Sequence, residues 1–98
     1  MSKRVILYTS SVSANTIVNK NTIAFRNLLA ANKIDYEDVD ISLDENVDHK
    51  KLMIEKSQSE QKTLTPQLFI DGEYVTDYPT INDLNEFGEA GPIFERCR

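Results

Sequence analysis

The chain has 98 residues, 40% hydrophobic and 28% charged, with a formal net charge of −5. That length makes one domain with a core of its own, needing no disulfide or metal staple. No apolar run approaches the roughly 18 residues that span a bilayer, and Met1-Ser2-Lys3-Arg4 leads into a strand-like run rather than a signal peptide, so no membrane role is expected.

Val5-Ile6-Leu7-Tyr8-Thr9 is a continuous apolar and β-branched run, the pattern of a buried strand. Ser10-Ser11-Val12-Ser13 breaks it, and Ser13 is placed to cap a helix by accepting from the free N–H groups of the next turn. Ile17, Val18, Asn21, Ala24, Phe25, Leu28 and Leu29 recur at helical spacing and predict a helix over 14–32. Residues 34–41 read as a second strand with Tyr36, Val39 and Ile41 apolar. Between Ile34 and His49 the acids Asp35, Glu37, Asp38, Asp40, Asp44, Glu45 and Asp48 occur with no Lys or Arg. That surface repels phosphate backbones and no basic stripe elsewhere reverses it, so nucleic acid is not an expected partner.

Ser42 or Asp44 can cap a second helix running to about residue 57, with Val47, Leu52, Met53 and Ile54 inward. His49, the only histidine, reads as an exposed residue of that helix. Residues 58–62 are polar and read as a loop. Thr65-Pro66 then leads into Leu68-Phe69-Ile70, Asp71-Gly72 and Glu73-Tyr74-Val75-Thr76. Asp-Gly between two β-type runs predicts a hairpin, and Pro66, lacking an N–H, belongs at a strand start or an edge. Thr80-Ile81-Asn82-Asp83 has capping-box spacing and opens a last short helix carrying Ile81, Leu84 and Phe87. Gly88 and Gly91-Pro92 end it. The tail, 91–98, drapes over an ordered core of about 3–90 or frays, leaving Cys97 open to solvent.

The order is β-α-β-α-β-β-α: an α/β fold in which a right-handed parallel crossover is followed by an antiparallel hairpin, giving a mixed four-stranded sheet flanked by helices. The layout is similar to the glutaredoxins of the thioredoxin-like superfamily. More closely, it resembles the SH3-domain-binding glutamic-acid-rich-like proteins, a glutaredoxin-related family. The resemblance is carried by Val5-Ile6-Leu7-Tyr8-Thr9-Ser10-Ser11, by Leu28-Leu29-Ala30-Ala31-Asn32-Lys33-Ile34-Asp35-Tyr36-Glu37 with Asp40-Ile41, by Pro66-Gln67-Leu68-Phe69, and by Tyr74 with Asp77-Tyr78. It implies that Pro66 is cis and that Thr65 presents its backbone to a cleft. Two departures matter. Pro66, Pro79 and Pro92 lie too far apart for a PxxP-type SH3 ligand, and no glutamate-rich tail is present. SH3 binding therefore does not carry over on sequence grounds.

Redox members of the fold place a thiolate where the first strand meets the first helix, whose N-terminus lowers the cysteine pKa. Here Ser10, Ser11, Val12 and Ser13 stand there, and Cys97, the only thiol, lies at the far end. Glutaredoxin turnover is not expected. The resemblance implies that glutathione, the one cofactor to consider, would lie against Thr65 and Pro66, with Thr76 and Asp77 at its amino end and Ser10, Ser11 and Ser13 alongside. Read from the residues, Asp77 caps or precedes the last helix and Tyr78 packs against it; this is preferred, because bulky side chains replace the family's glycines. A glutathione-transferase role for a serine fails because the chain is too short for the appended helical domain. One His and one distant Cys make no zinc set. Asp38-Val39-Asp40-Ile41-Ser42 begins like a calcium loop but has Leu43 where glycine must turn and His49 where a bidentate Glu must bind. Tyr36, Tyr74 and Tyr78 offer an aromatic surface patch or core packing. The expectation is a non-catalytic, monomeric, cytosolic protein-interaction module, with a glutathione-binding or residual redox protein as the alternative. A lone cysteine and no glycosylation sequon fit a reducing compartment.

Overall fold

The computed structural model describes residues 4–12, 15–58 and 64–97, so 59–62 of the expected polar loop lie outside the described residues. In chain order they form β1 (Val5–Thr9), α1 (Thr16–Ala31), β2 (Glu37–Asp40), a 3-10 turn (Asp44–Asn46) running into α2 (Val47–Lys56), β3 (Gln67–Ile70), β4 (Glu73–Asp77), α3 (Tyr78–Glu86) and α4 (Gly91–Cys97). The strands lie in the order β2-β1-β3-β4. β1 pairs parallel with β2, Tyr8 opposite Val39, and antiparallel with β3, Leu7 opposite Leu68. The expected mixed sheet is present, with one helix more than the sequence predicted.

Side chains alternate across the sheet. Val5 and Leu7 of β1 and Leu68 and Ile70 of β3 join Phe25, Leu29, Ile81 and Phe94, so α1, α3 and α4 cover one face. Ile6, Tyr8 and Phe69 point the other way and pack with Ile41 and Met53 beneath α2. There Phe69 meets Tyr8 and Tyr74 edge-on, with ring centroids 5.0 and 5.8 Å apart. Tyr36, Tyr74 and Tyr78 are half-buried against these clusters, so core packing, and not a surface patch, accounts for them.

Local chemistry sets the boundaries. Asn15, not the expected Ser13, caps α1, its Oδ1 accepting from the N–H groups of Ile17 and Val18 at 2.8 and 3.3 Å; Ser13 lies outside the described residues. Ile17, expected inward, is exposed, because the buried stripe of the helix runs through Val18, Thr22, Phe25 and Leu29. At the other end the N–H of Ile34 returns to the carbonyl of Leu29 and that of Lys33 to Ala30, with Lys33 at φ 56°. Those bonds are a Schellman closure that takes up the Ile34 N–H, and β2 starts only at Glu37. Neither Ser42 nor Asp44 caps α2, which is entered through the 3-10 turn; the Ser42 hydroxyl is spent on Asp40.

The hairpin forms as expected, with Asp71 at φ 51° and Gly72 at φ 82°, the two left-handed residues of a type I′ turn. The Thr65–Pro66 bond is cis. α3 is capped by Asp77 rather than Thr80, with proline in its first turn where a missing N–H costs nothing. Gly88 at φ 71° closes it, and its exposed neighbour Phe87 does not reach the core. Gly91-Pro92 opens α4 instead of ending a helix, and the tail docks. Phe94 and Cys97 share the inner side of that turn and are both buried. The expectation of a solvent-open Cys97 is thereby overturned.

Candidate functional site

A cleft of about 550 Å³ opens where β1 and β2 end and α2 begins. Ser10 and Val12 follow β1, Ser42, Leu43 and Asp44 follow β2, Val47 and Lys50 come from the start of α2, and Leu64 and Thr65 precede β3. Val18 and Ile41, both buried, contribute apolar lining. It lies beyond the ends of β1 and β2, the position an open α/β sheet offers a ligand.

One carboxylate fixes two of these walls. Asp40 Oδ1 accepts from the Ser11 N–H at 3.2 Å, the Ser42 N–H at 2.9 Å and the Ser42 hydroxyl at 2.5 Å. The hydroxyls of Ser11 and Ser42 lie 3.1 Å apart. Burial works to raise the Asp40 pKa, but the bonds from Ser42 and Ser11 outweigh it and hold the group down to about 2. The turn after β1 is thus tied to the turn after β2.

On the other side of Ser10 a second cavity, about 320 Å³, runs between α1 and β2. There Asp38 accepts from the Thr9 hydroxyl at 2.8 Å and pairs with Arg26 at 2.6 Å. Under α2, His49 is half-buried, not exposed as the sequence suggested. Its Nδ1 lies 3.2 Å from the Tyr8 hydroxyl, because the helix's inner side brings it over the sheet. Burial, with the charge of Glu37 adding to it and that of Arg4 opposing, raises the Tyr8 pKa.

The residues named from the sequence are only partly brought together. Ser10 and Thr65 line the cleft, and Pro66 is buried beside Thr65. Ser11 lines the second cavity. Thr76 and Asp77 line neither, although the ladder sets Asp77 opposite Gln67, next to Pro66. Thr76 is buried and its hydroxyl donates to the Asp77 carbonyl at 3.2 Å. The Asp77 carboxylate accepts from the Thr80 N–H and from the Tyr74 hydroxyl, both at 3.0 Å. Burial, then the charge of Asp77 and the bond to it, pushes the Tyr74 pKa up. The carboxylate that the resemblance would give to a ligand's amino group is engaged in holding α3. The sequence did not single out Val12, Leu43 and Val47 for the cleft; their only signal was aliphatic residues set among polar ones at segment ends. Among the described residues no group of three or more His, Cys, Asp or Glu side chains could hold a metal, and no helix is long and apolar enough to cross a membrane.

The sheet order, the parallel crossover and the cis-proline before β3 define a thioredoxin-like fold of the glutaredoxin type. A buckwheat glutaredoxin–glutathione complex superposes with a TM-score of 0.68 at 10% identity, over 97% of this chain and 79% of that one, a likeness of fold alone. The C. albicans actin interacting protein Aip5 superposes at 0.70 with 25% identity, over 94% and 88%. Residues 3–90 match the family described as "SH3-binding, glutamic acid-rich protein", and the chain belongs to that family. The Drosophila melanogaster "SH3 domain-binding glutamic acid-rich protein homolog" is 35% identical over 89 residues, covering 82% of this chain. This chain spans 56% of that relative's length.

Proposed function

We propose that this chain is a non-catalytic protein-interaction module on a glutaredoxin-like scaffold, acting as a cytosolic monomer. One observation carries the reading: Ser10, Ser11 and Val12 occupy the β1–α1 junction, while the only thiol, Cys97, is buried on the inner side of α4. Disulfide exchange needs an accessible thiolate, favoured by a nearby helix N-terminus or cation, and a buried thiol in apolar surroundings is inert. The names of its relatives, one SH3-domain-binding and one actin-interacting, support protein partners. The absence of a PxxP run in this chain argues for a contact made by the folded surface.

The test is a glutathione-coupled reduction of a mixed disulfide. No turnover is expected from the wild type or from Cys97→Ser. Turnover that survives the substitution would refute the reading, and turnover lost with it would move the chemistry to α4. A second reading, glutathione held unreacted, rests on Ser10 and Thr65 lining one cleft. It requires saturable shifts of the Ser10 and Thr65 amide signals on titrating glutathione.

A further inference from the structure

We propose that the cleft at the ends of β1 and β2 docks an extended aliphatic segment of a partner protein flanked by basic residues. The inference rests on the interaction-module reading and gives the partner its chemistry. Three separate stretches each turn an aliphatic side chain outward at this one opening. Val12 after β1 is 74% exposed, Leu43 after β2 is 43% exposed, and Val47 in the first turn of α2 is 47% exposed. Single exposed aliphatics are ordinary, but three converging on a concavity with an apolar lining are the mark of a contact surface. The volume lies within the roughly 300–1,000 Å³ of ligand pockets, which suits a few inserted side chains of an extended segment rather than a folded domain.

Charge then selects among such segments. Asp44 lines the cleft, and Glu45 and Asp48 follow it on the same turn and helix. Among the described residues none of these three carboxylates is in an ion pair. Asp40 adds a carboxylate kept ionised by its serine bonds. Against them stand Lys50, also in the lining, and its neighbour Lys51. A basic flank is attracted to this rim, and an acidic or phosphorylated one is repelled.

The experiment follows backbone amide signals of the whole chain while three synthetic peptides are added. The first alternates leucine and serine between lysine pairs. The second carries glutamate pairs on the same core, and the third keeps the lysines on an all-serine core. The first peptide is expected to shift the signals of Ser10, Leu43, Val47 and Thr65 and to bind about tenfold tighter than either of the others. Leu43→Ser and Val47→Ser, both at exposed positions, should each weaken it several-fold with the melting temperature unchanged. Equal or tighter binding of the glutamate peptide would overturn the charge assignment and leave the interaction-module reading standing. Equal binding of the serine-core peptide would overturn the aliphatic anchor. Failure of all three peptides would overturn the inference, and if glutathione then gave saturable shifts, the interaction-module reading would fall with it.

Discussion

Asp77→Ala tests whether the carboxylate beside the cis-proline serves the fold or stands ready for a ligand. Two bonds are lost. The cap on α3, made to the Thr80 N–H at 3.0 Å, is worth about 1 kcal/mol. The Tyr74 hydroxyl donates to the other oxygen at 3.0 Å; a bond to a charged group is worth about 1.5–3 kcal/mol, and the lower figure applies because Tyr74 is only half-buried and can turn to water. Together they give about 2.5 kcal/mol, or a fall of about 10–20 °C in melting temperature for a domain this size. Asp77→Asn keeps an acceptor at the cap and should cost about 1 kcal/mol. A double-mutant cycle with Tyr74→Phe should show a coupling of about 1 kcal/mol in urea unfolding. Spectrophotometric titration gives an independent readout. The Tyr74 ionisation, raised first by burial and then by Asp77, should move down towards the ordinary 10 in Asp77→Asn. No coupling, and equal costs for Ala and Asn, would refute the structural assignment and return Asp77 to the ligand.

Asp40 gives the chain a specific acid sensitivity. With its carboxyl held at about 2 against an ordinary 3.8, the contribution is complete above the ordinary value and lost as pH falls towards the lower one. Solvent screening of this part-exposed group limits it to about 1 kcal/mol, and Asp40→Asn should flatten that part of the acid unfolding curve. Cys97 should resist a thiol reagent in the native protein and react on unfolding; a fast native reaction would mean α4 does not stay docked. Gly72→Ala, at φ 82° with nothing near its missing Cβ, should cost about 1 kcal/mol through backbone conformation alone, and no loss would put the turn geometry in doubt.

What the sequence made legible was whatever depends on neighbours in the chain. Asp71-Gly72 announced its hairpin because two consecutive left-handed residues leave few alternatives. Val5–Thr9 and Gln67–Ile70 were strands on composition, and the parallel crossover followed by an antiparallel hairpin was legible from the element order. The helix ends were harder, since Ser13, Asn15, Asp77 and Thr80 are all chemically able caps and only the observed backbone chooses among them. Gly91-Pro92 was read as a stop, although proline is equally suited to a first helical turn, and α4 is too short for its Phe94–Cys97 pair to show a period. The cleft was half legible. Ser10 and Thr65 came from the resemblance, while Val47 was assigned inward by helical period and in fact stands at the exposed first position of α2, where it lines the opening. The bond between Tyr8 and His49 joins residues 41 apart and carries no local signature.

The edge strands of the sheet are β2 and β4. β2 is only four residues, Glu-Asp-Val-Asp, and β4 begins and ends on a carboxylate. A second molecule that laid its own edge alongside would set acid against acid, which is how natural sheets avoid zipping into fibres. That local guard adds to the repulsion of the whole molecule, whose formal net charge is −5 at neutral pH. Close to the isoelectric point, about 4.7, the net repulsion between whole molecules vanishes while the fold's apolar packing is untouched. Concentrated solutions should therefore be most adhesive in a mildly acidic band, above the range in which Asp40 surrenders its proton and the domain itself begins to loosen.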